Sequence, residues 1–146
     1  MKKALLASVA LLIGGMIYVL WRSEALLMFI WFDALGMRPA VEILRGYAAP
    51  YSTTFPSWFY FSLPQALWLF SGILLFDSVW RGDARLHKWF WVIVVAVSAI
   101  GGEFAQHWRF LPGTFDLLDI ILCILALTIA ILCIHFSLST ERRFVR

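Results

Sequence analysis

The chain has 146 residues, of which 62% are hydrophobic and only 14% charged, with a formal charge of +3 and a mean hydropathy of +0.85. Soluble domains average about 25% charged and 45–50% apolar residues, and a core of this size cannot bury the excess, so lipid is the natural solvent. The 12 Lys and Arg residues are dispersed at the ends of apolar runs, which argues against a nucleic-acid partner and reads as a set of topology signals.

The first apolar run, Ala4–Trp21, follows Met1-Lys2-Lys3. A cleaved signal has an apolar stretch of about 7–15 residues that ends in a small-x-small site. This run is longer and no such site follows it, so an uncleaved signal anchor is expected. The next segment, Arg22 to Ser57, is not an ordinary hydrophilic loop. Ala25–Leu35 is apolar but, at about 11 residues, too short to span, and is expected as an interfacial or re-entrant helix that bends near Gly36 to Pro39. A second short helix is expected over Ala40–Gly46, supported by Glu42 and Arg45 at i,i+3. Ala49 to Ser57 is turn-rich.

Three more runs, Phe59–Trp80, Trp89–Trp108 and Leu117–Leu138, are each about 20 residues long, enough to cross roughly 30 Å of hydrocarbon. Pro64 should kink the first of these, with Ser62 and Gln65 serving the freed backbone groups. Asp77 can pair with Arg81 four residues on. Cys123 and Cys133 fall in the last run, about 15 Å apart along a helix. That exceeds the roughly 7 Å limit for a disulfide, so both should be free thiols.

The expected fold is therefore an all-α membrane protein, one integral domain with four transmembrane helices. Lys2 and Lys3, the group Arg81, Arg85 and Lys88, and the group Arg142, Arg143 and Arg146 fall on one side, which the positive-inside rule makes cytoplasmic. Both termini are then inside. Arg22, Arg38, Arg45 and Arg109 lie on the other side, offset by Glu24, Asp33 and Glu42. Trp21, Trp58, Trp80, Trp89 and Trp108 mark the interfacial belts.

On this topology the polar residues gather toward the extracytoplasmic ends of the spans. Gln65 lies roughly 9 Å below the outer end of its helix. Glu103 lies a little over one turn from the end of the third span, with Gln106, His107 and Phe110 on the same face. Ser98, Gly101, Gly102 and Ala105 give that span a small-residue surface that suits close approach of another helix, so a membrane-protein partner is one expectation. Across the connection Phe110 to Phe115, Glu103 and Asp119 are plausible neighbours. Arg109 or a proton shared with His107 could compensate their charge.

Simpler roles compete with function at each position. Asp116 and Asp119 have the spacing of an N-cap and an N3 residue. Pro112-Gly113 is most simply a turn, and His107 a wet interfacial side chain. Glu103 is hardest to dismiss, because an intramembrane carboxylate costs a few kcal/mol. The candidate ligand-binding set is Glu103, Gln106, His107, Arg109, Asp116, Asp119 and Gln65. No nucleophile elbow, metal-ligand spacing or Gly-rich phosphate cradle is present in the sequence, so no cofactor or metal is expected and no catalytic residue is assigned.

Glu103-x-x-Gln106, a short connection, then Asp116-x-x-Asp119 opening a final apolar helix resembles the signature of VanZ-like membrane proteins. That family comprises small multi-pass bacterial proteins, some linked to glycopeptide resistance. The resemblance covers roughly the last third of the chain. Pro112-Gly113-Thr114 stands where the family usually has an arginine, and Cys123 and Ala126 where an Asn and a Gly often follow, which makes this a divergent member. The resemblance implies a multi-pass protein of the bacterial cytoplasmic membrane and cell envelope. Its leading functional expectation is binding or shielding of an extracytoplasmic amphiphile or a lipid-linked cell-wall component. An enzyme acting on a lipid-linked substrate through the Glu/His/Asp cluster, and a non-catalytic membrane subunit or assembly factor, are the alternatives.

Overall fold

The structure, a computed structural model, describes residues 2–80, 85–111 and 113–144, with the backbone alone at 85 and 137–144. Every regular element among the described residues is helical: α1 (Lys2–Trp21), α2 (Leu27–Ala34), α3 (Arg38–Ala48), α4 (Ser57–Phe61), α5 (Leu63–Val79), α6 (Arg85–His107) and α7 (Leu117–Phe144), with a 3₁₀ turn at Ala49–Tyr51. Among the described residues three stretches are long and apolar enough to cross a membrane, Lys2–Trp21, Leu86–His107 and Leu117–Phe136. The fourth apolar helix, Leu63–Val79, has 17 residues.

Its shortness has a local cause. Pro64 has no N–H to give to the Tyr60 carbonyl, so the ladder is interrupted between α4 and α5 although Ser62 keeps helical angles (φ −95°, ψ −40°). Ser62 N–H still reaches the Trp58 carbonyl (3.0 Å) and Ala66 N–H the Ser62 carbonyl (3.3 Å). The side chains of Ser62 and Gln65 do not serve the freed backbone as expected. Ser62 Oγ is buried without a partner among the described residues, and Gln65 reaches across to α6.

Helix α2 ends in a Schellman arrangement, with Met37 N–H on the Phe32 carbonyl (2.8 Å) and Gly36 N–H on the Asp33 carbonyl (3.0 Å). Gly36, at φ +69°, supplies the left-handed residue that this ending requires. Pro39 then sits in the first turn of α3, where its missing N–H costs nothing. The expected Glu42–Arg45 pair does not form. Glu42 pairs with Arg38 at i,i−4 (2.9 Å), and Arg38 also holds Glu24 (2.8 Å) and Asp33 (3.1 Å). Arg45 turns instead to the end of α1, where it donates to the carbonyls of Val19 (2.6 Å) and Arg22 (3.0 Å) and approaches Glu24 at 3.4 Å. Carbonyls at a helix C-terminus lack intrahelical donors, and a guanidinium satisfies them well.

Helix α5 is the centre of the bundle. It packs against α1, α6 and α7, whereas α1 and α6 share no substantial contact. The core joins Ala7 of α1, Leu69, Ile73 and Leu74 of α5, Val92 of α6, and Cys123, Ala130 and Ile134 of α7. Ser71 Oγ donates to the Ala7 carbonyl (2.8 Å). Toward one end Asp77, 3% exposed, is held between Lys3 and, at 2.9 Å, Lys88. The expected partner Arg81 lies outside the described residues, as do the side chains of Arg85, Arg142, Arg143 and Arg146. Lys88 is already inside α6 rather than in the connection before it. Cys123 and Cys133 are both free thiols.

Helix α1 approaches α5 through Gly14, where a Cβ would meet the Trp68 indole Nε1 at 2.8 Å and the Pro64 carbonyl oxygen at 3.2 Å. At the adjacent Gly15 nothing lies within 4 Å. Gly14→Leu should therefore lower thermal stability in neutral detergent, by about 1–3 kcal/mol as overpacking commonly does. Gly15→Leu, equally improved in helix propensity, should unfold within a few degrees of the parent protein.

Candidate functional site

The end of the bundle opposite Asp77 carries the polar cluster. Helix α6 runs up to His107, and Glu103 in its last turns meets Gln65 of α5 and lies near Asp119 of α7. Glu103 is 2% exposed. Gln65 of α5 spans the gap, its Nε2 donating to Glu103 Oε1 (3.1 Å) and to the Ala99 carbonyl (3.2 Å). The carboxylates of Asp119 and Asp116 lie near enough to act electrostatically on Glu103. Cys123, fully buried one turn below Asp119, is within electrostatic reach of both Glu103 and Asp119.

Two oxygens in this cluster have no hydrogen-bond partner among the described residues, Glu103 Oε2 and Asp119 Oδ1, and both are buried. An unsatisfied buried acceptor costs about 1–3 kcal/mol, more when charged. Two such acceptors on neighbouring helices can accept donors from a bound group. Ser62 Oγ, three residues before Gln65 on the helical repeat, is the third orphan.

The other sequence candidates are placed differently. Gln106 packs its amide beneath Gly113, where a Cβ would come within 2.6 Å of it, and Gly113 itself has φ +143°. A side chain at residue 113 would be strained by that backbone angle and would displace the flexible end of Gln106. His107 is exposed and meets the Phe115 ring edge-on at 4.8 Å, and it makes no hydrogen bond to Glu103 among the described residues. Arg109 is also exposed and makes no ion pair among the described residues. Its contribution is to the backbone. At φ +61° it terminates α6, with its own N–H on the Gln106 carbonyl (3.0 Å) and Phe110 N–H on the Ala105 carbonyl (2.8 Å).

Asp116 is the N-cap of α7, its Oδ1 accepting from Leu118 N–H (2.9 Å), and its carbonyl accepts from Asp119 N–H (3.1 Å). Asp119 follows in the first turn of the helix, where a negative charge is favoured. Pro112 of the expected turn lies outside the described residues.

The structure adds an element that sequence reasoning missed. On the side of α5 between α1 and α6 lies an open groove of about 630 Å³, with Gln65 and Gln106 on its wall. Arg22 stands at the same end, its guanidinium over the rings of Tyr18 (5.2 Å) and Phe61 (5.0 Å). Arg22 reads in sequence only as a charge at the end of a span, and no local pattern announces a groove made by three helices. No family model matches the chain, and no curated protein or solved structure matches it.

Three substitutions test the local roles of Asp116 and Arg109. Asp116→Ala should cost about 1 kcal/mol of thermal stability, and Asp116→Asn, which caps equally well, should cost almost nothing. Arg109→Gly should raise stability by roughly 1 kcal/mol, because it removes a Cβ from a left-handed position. All three are checked by thermal unfolding in neutral detergent.

Proposed function

We propose that this is a VanZ-like integral membrane protein of the cell envelope, one that binds or shields an extracytoplasmic amphiphile or lipid-linked cell-wall component. In this reading α4 and α5 together form a fourth span, both termini are cytoplasmic, and α2 and α3 lie at the outer interface of the bacterial cytoplasmic membrane. The charge distribution supports that orientation, with Lys2, Lys3 and Lys88 at one end and Glu24, Asp33 and Glu42 near the other.

The observation that carries the reading is the buried pair of orphan oxygens on Glu103 and Asp119. Ionisable groups within an apolar bundle are expensive and usually functional. Asp77, by contrast, has both oxygens engaged by lysines, as a purely structural carboxylate should. Hydroxyl or amine donors of a sugar, peptide or headgroup would satisfy the open acceptors beside Gln65. The spacing of Glu103, Gln106, Asp116 and Asp119 adds the family resemblance to this argument.

The test is a binding assay on protein reconstituted in nanodiscs, with a polyprenyl-linked disaccharide diphosphate and a polyprenyl phosphate as probes. The Glu103→Ala, Asp119→Ala double variant should insert and fold as the parent does, yet bind at least tenfold more weakly. A double variant that binds both probes as tightly as the parent would sink the reading.

A further inference from the structure

The groove between α1 and α6 has a chemistry of its own. It runs from Arg22, Gln65 and Gln106 at one end to Phe76 and Trp91 at the other, along a wall that includes Trp68. At roughly 1.5 Å per helical residue, Gln65 to Phe76 spans about 16 Å and Trp91 to Gln106 about 22 Å. One leaflet of a hydrocarbon core roughly 30 Å thick is about 15 Å deep. The groove is thus about one leaflet long, polar at one end and apolar at the other. It opens sideways because α1 and α6 rest on α5 and not on each other.

Charge defines the head of the occupant. Arg38 and Arg45 are paired with carboxylates. Arg22, only partly exposed, has aromatic rings against it and no ion pair among the described residues. Rings favour a guanidinium but do not neutralise it, and its fork suits a phosphate held by two bonds. Volume defines the tail. A single hydrocarbon chain one leaflet long fits within about 630 Å³, and the groove's length and apolar far end match such a chain.

We propose that the groove holds one hydrocarbon chain of an anionic, phosphate-headed lipid, with the phosphate at Arg22 and the chain running toward Phe76 and Trp91. The proposal deepens the amphiphile-binding reading given above and rests on it. Gln65 lines the groove and also hydrogen-bonds Glu103, so the lipid head would lie one side chain away from the carboxylate pair.

The experiment is native mass spectrometry and lipid titration of the full chain in neutral maltoside micelles, with dioleoylphosphatidylglycerol, dioleoylphosphatidylcholine and sn-glycerol 3-phosphate as probes. The parent protein should bind the anionic lipid at least tenfold more tightly than the zwitterionic one, and the chainless phosphate negligibly. Arg22→Gln should reduce the preference to threefold or less. Arg22→Lys, which keeps the charge but loses the fork, should fall between the parent and Arg22→Gln, which a merely structural stacking role would not predict, and Lys2→Gln, at the far end, should leave the preference unchanged. Ser98→Trp, which fills the groove from its exposed wall, should abolish binding of both lipids while unfolding within a few degrees of the parent.

An unaltered preference in Arg22→Gln, undiminished lipid binding in Ser98→Trp, or equally tight binding of sn-glycerol 3-phosphate would each overturn the proposal. The Glu103→Ala, Asp119→Ala variant run beside them separates the two ideas. If it weakens lipid binding while Arg22→Gln does not, the groove assignment fails and the amphiphile reading stands. If Arg22→Gln alone matters, the carboxylate pair is not the binding site and the groove stands.

Discussion

The packing of three long helices on α5 is the constraint from which the rest of the molecule follows. Helix α5 buries Leu69, Ile73 and Leu74 almost completely, and it meets α1, α6 and α7 on different sides. Its small or short side chains at Ala66 and Ser71, together with Gly14 of α1, let the backbones come close. In an apolar solvent such contacts, rather than hydrophobic exclusion, hold helices together. Because α1 and α6 use different faces of α5, a groove remains between them. Because α6 and α7 share another side, Glu103 and Asp119 become neighbours.

The same arrangement treats two buried carboxylates in opposite ways. Asp77 is surrounded by Lys3 and Lys88, both largely buried, and each of its oxygens accepts a hydrogen bond. Glu103 has the neutral amide of Gln65 on one oxygen, the Asp116 backbone near its carboxylate and no ion pair among the described residues, and its other oxygen lacks a full hydrogen bond. A charge pair in a low-dielectric interior offsets its desolvation when the geometry is complete. An incomplete one is retained where something else completes it. That contrast within one small bundle is why Glu103 draws attention and Asp77 does not.

Much of the architecture was legible in the chain. Apolar run lengths anticipated α1, α6 and α7 to within a few residues, and Asp116 was recognisable as a cap from its spacing to Asp119. Two short helices around residues 25–46 were also visible, although Pro39 fell inside α3 rather than before it. Ion-pair partners were less legible. Arg45 had an i,i+3 partner in sequence yet turned to the carbonyl end of α1. Asp77 found Lys3, which is remote in sequence. Local spacing lists the partners a helix face can offer, but long side chains choose among everything that packing brings within reach.

The sequence by itself determined the solvent, the helical class and the chemistry available, since composition and run length settle how much apolar surface must avoid water. It also placed Glu103, Gln106 and Asp119 at helix ends, because a helical repeat assigns depth and face to every residue. Only the tertiary structure decided which of those groups meet. His107 turned out toward Phe115, Arg109 became the turn that ends α6, and Gln65 bridged to Glu103 from another helix. The groove beside Arg22 belongs to the same class of fact. Its walls come from three helices whose relative placement is set by how their surfaces interlock, and no single stretch of sequence encodes that.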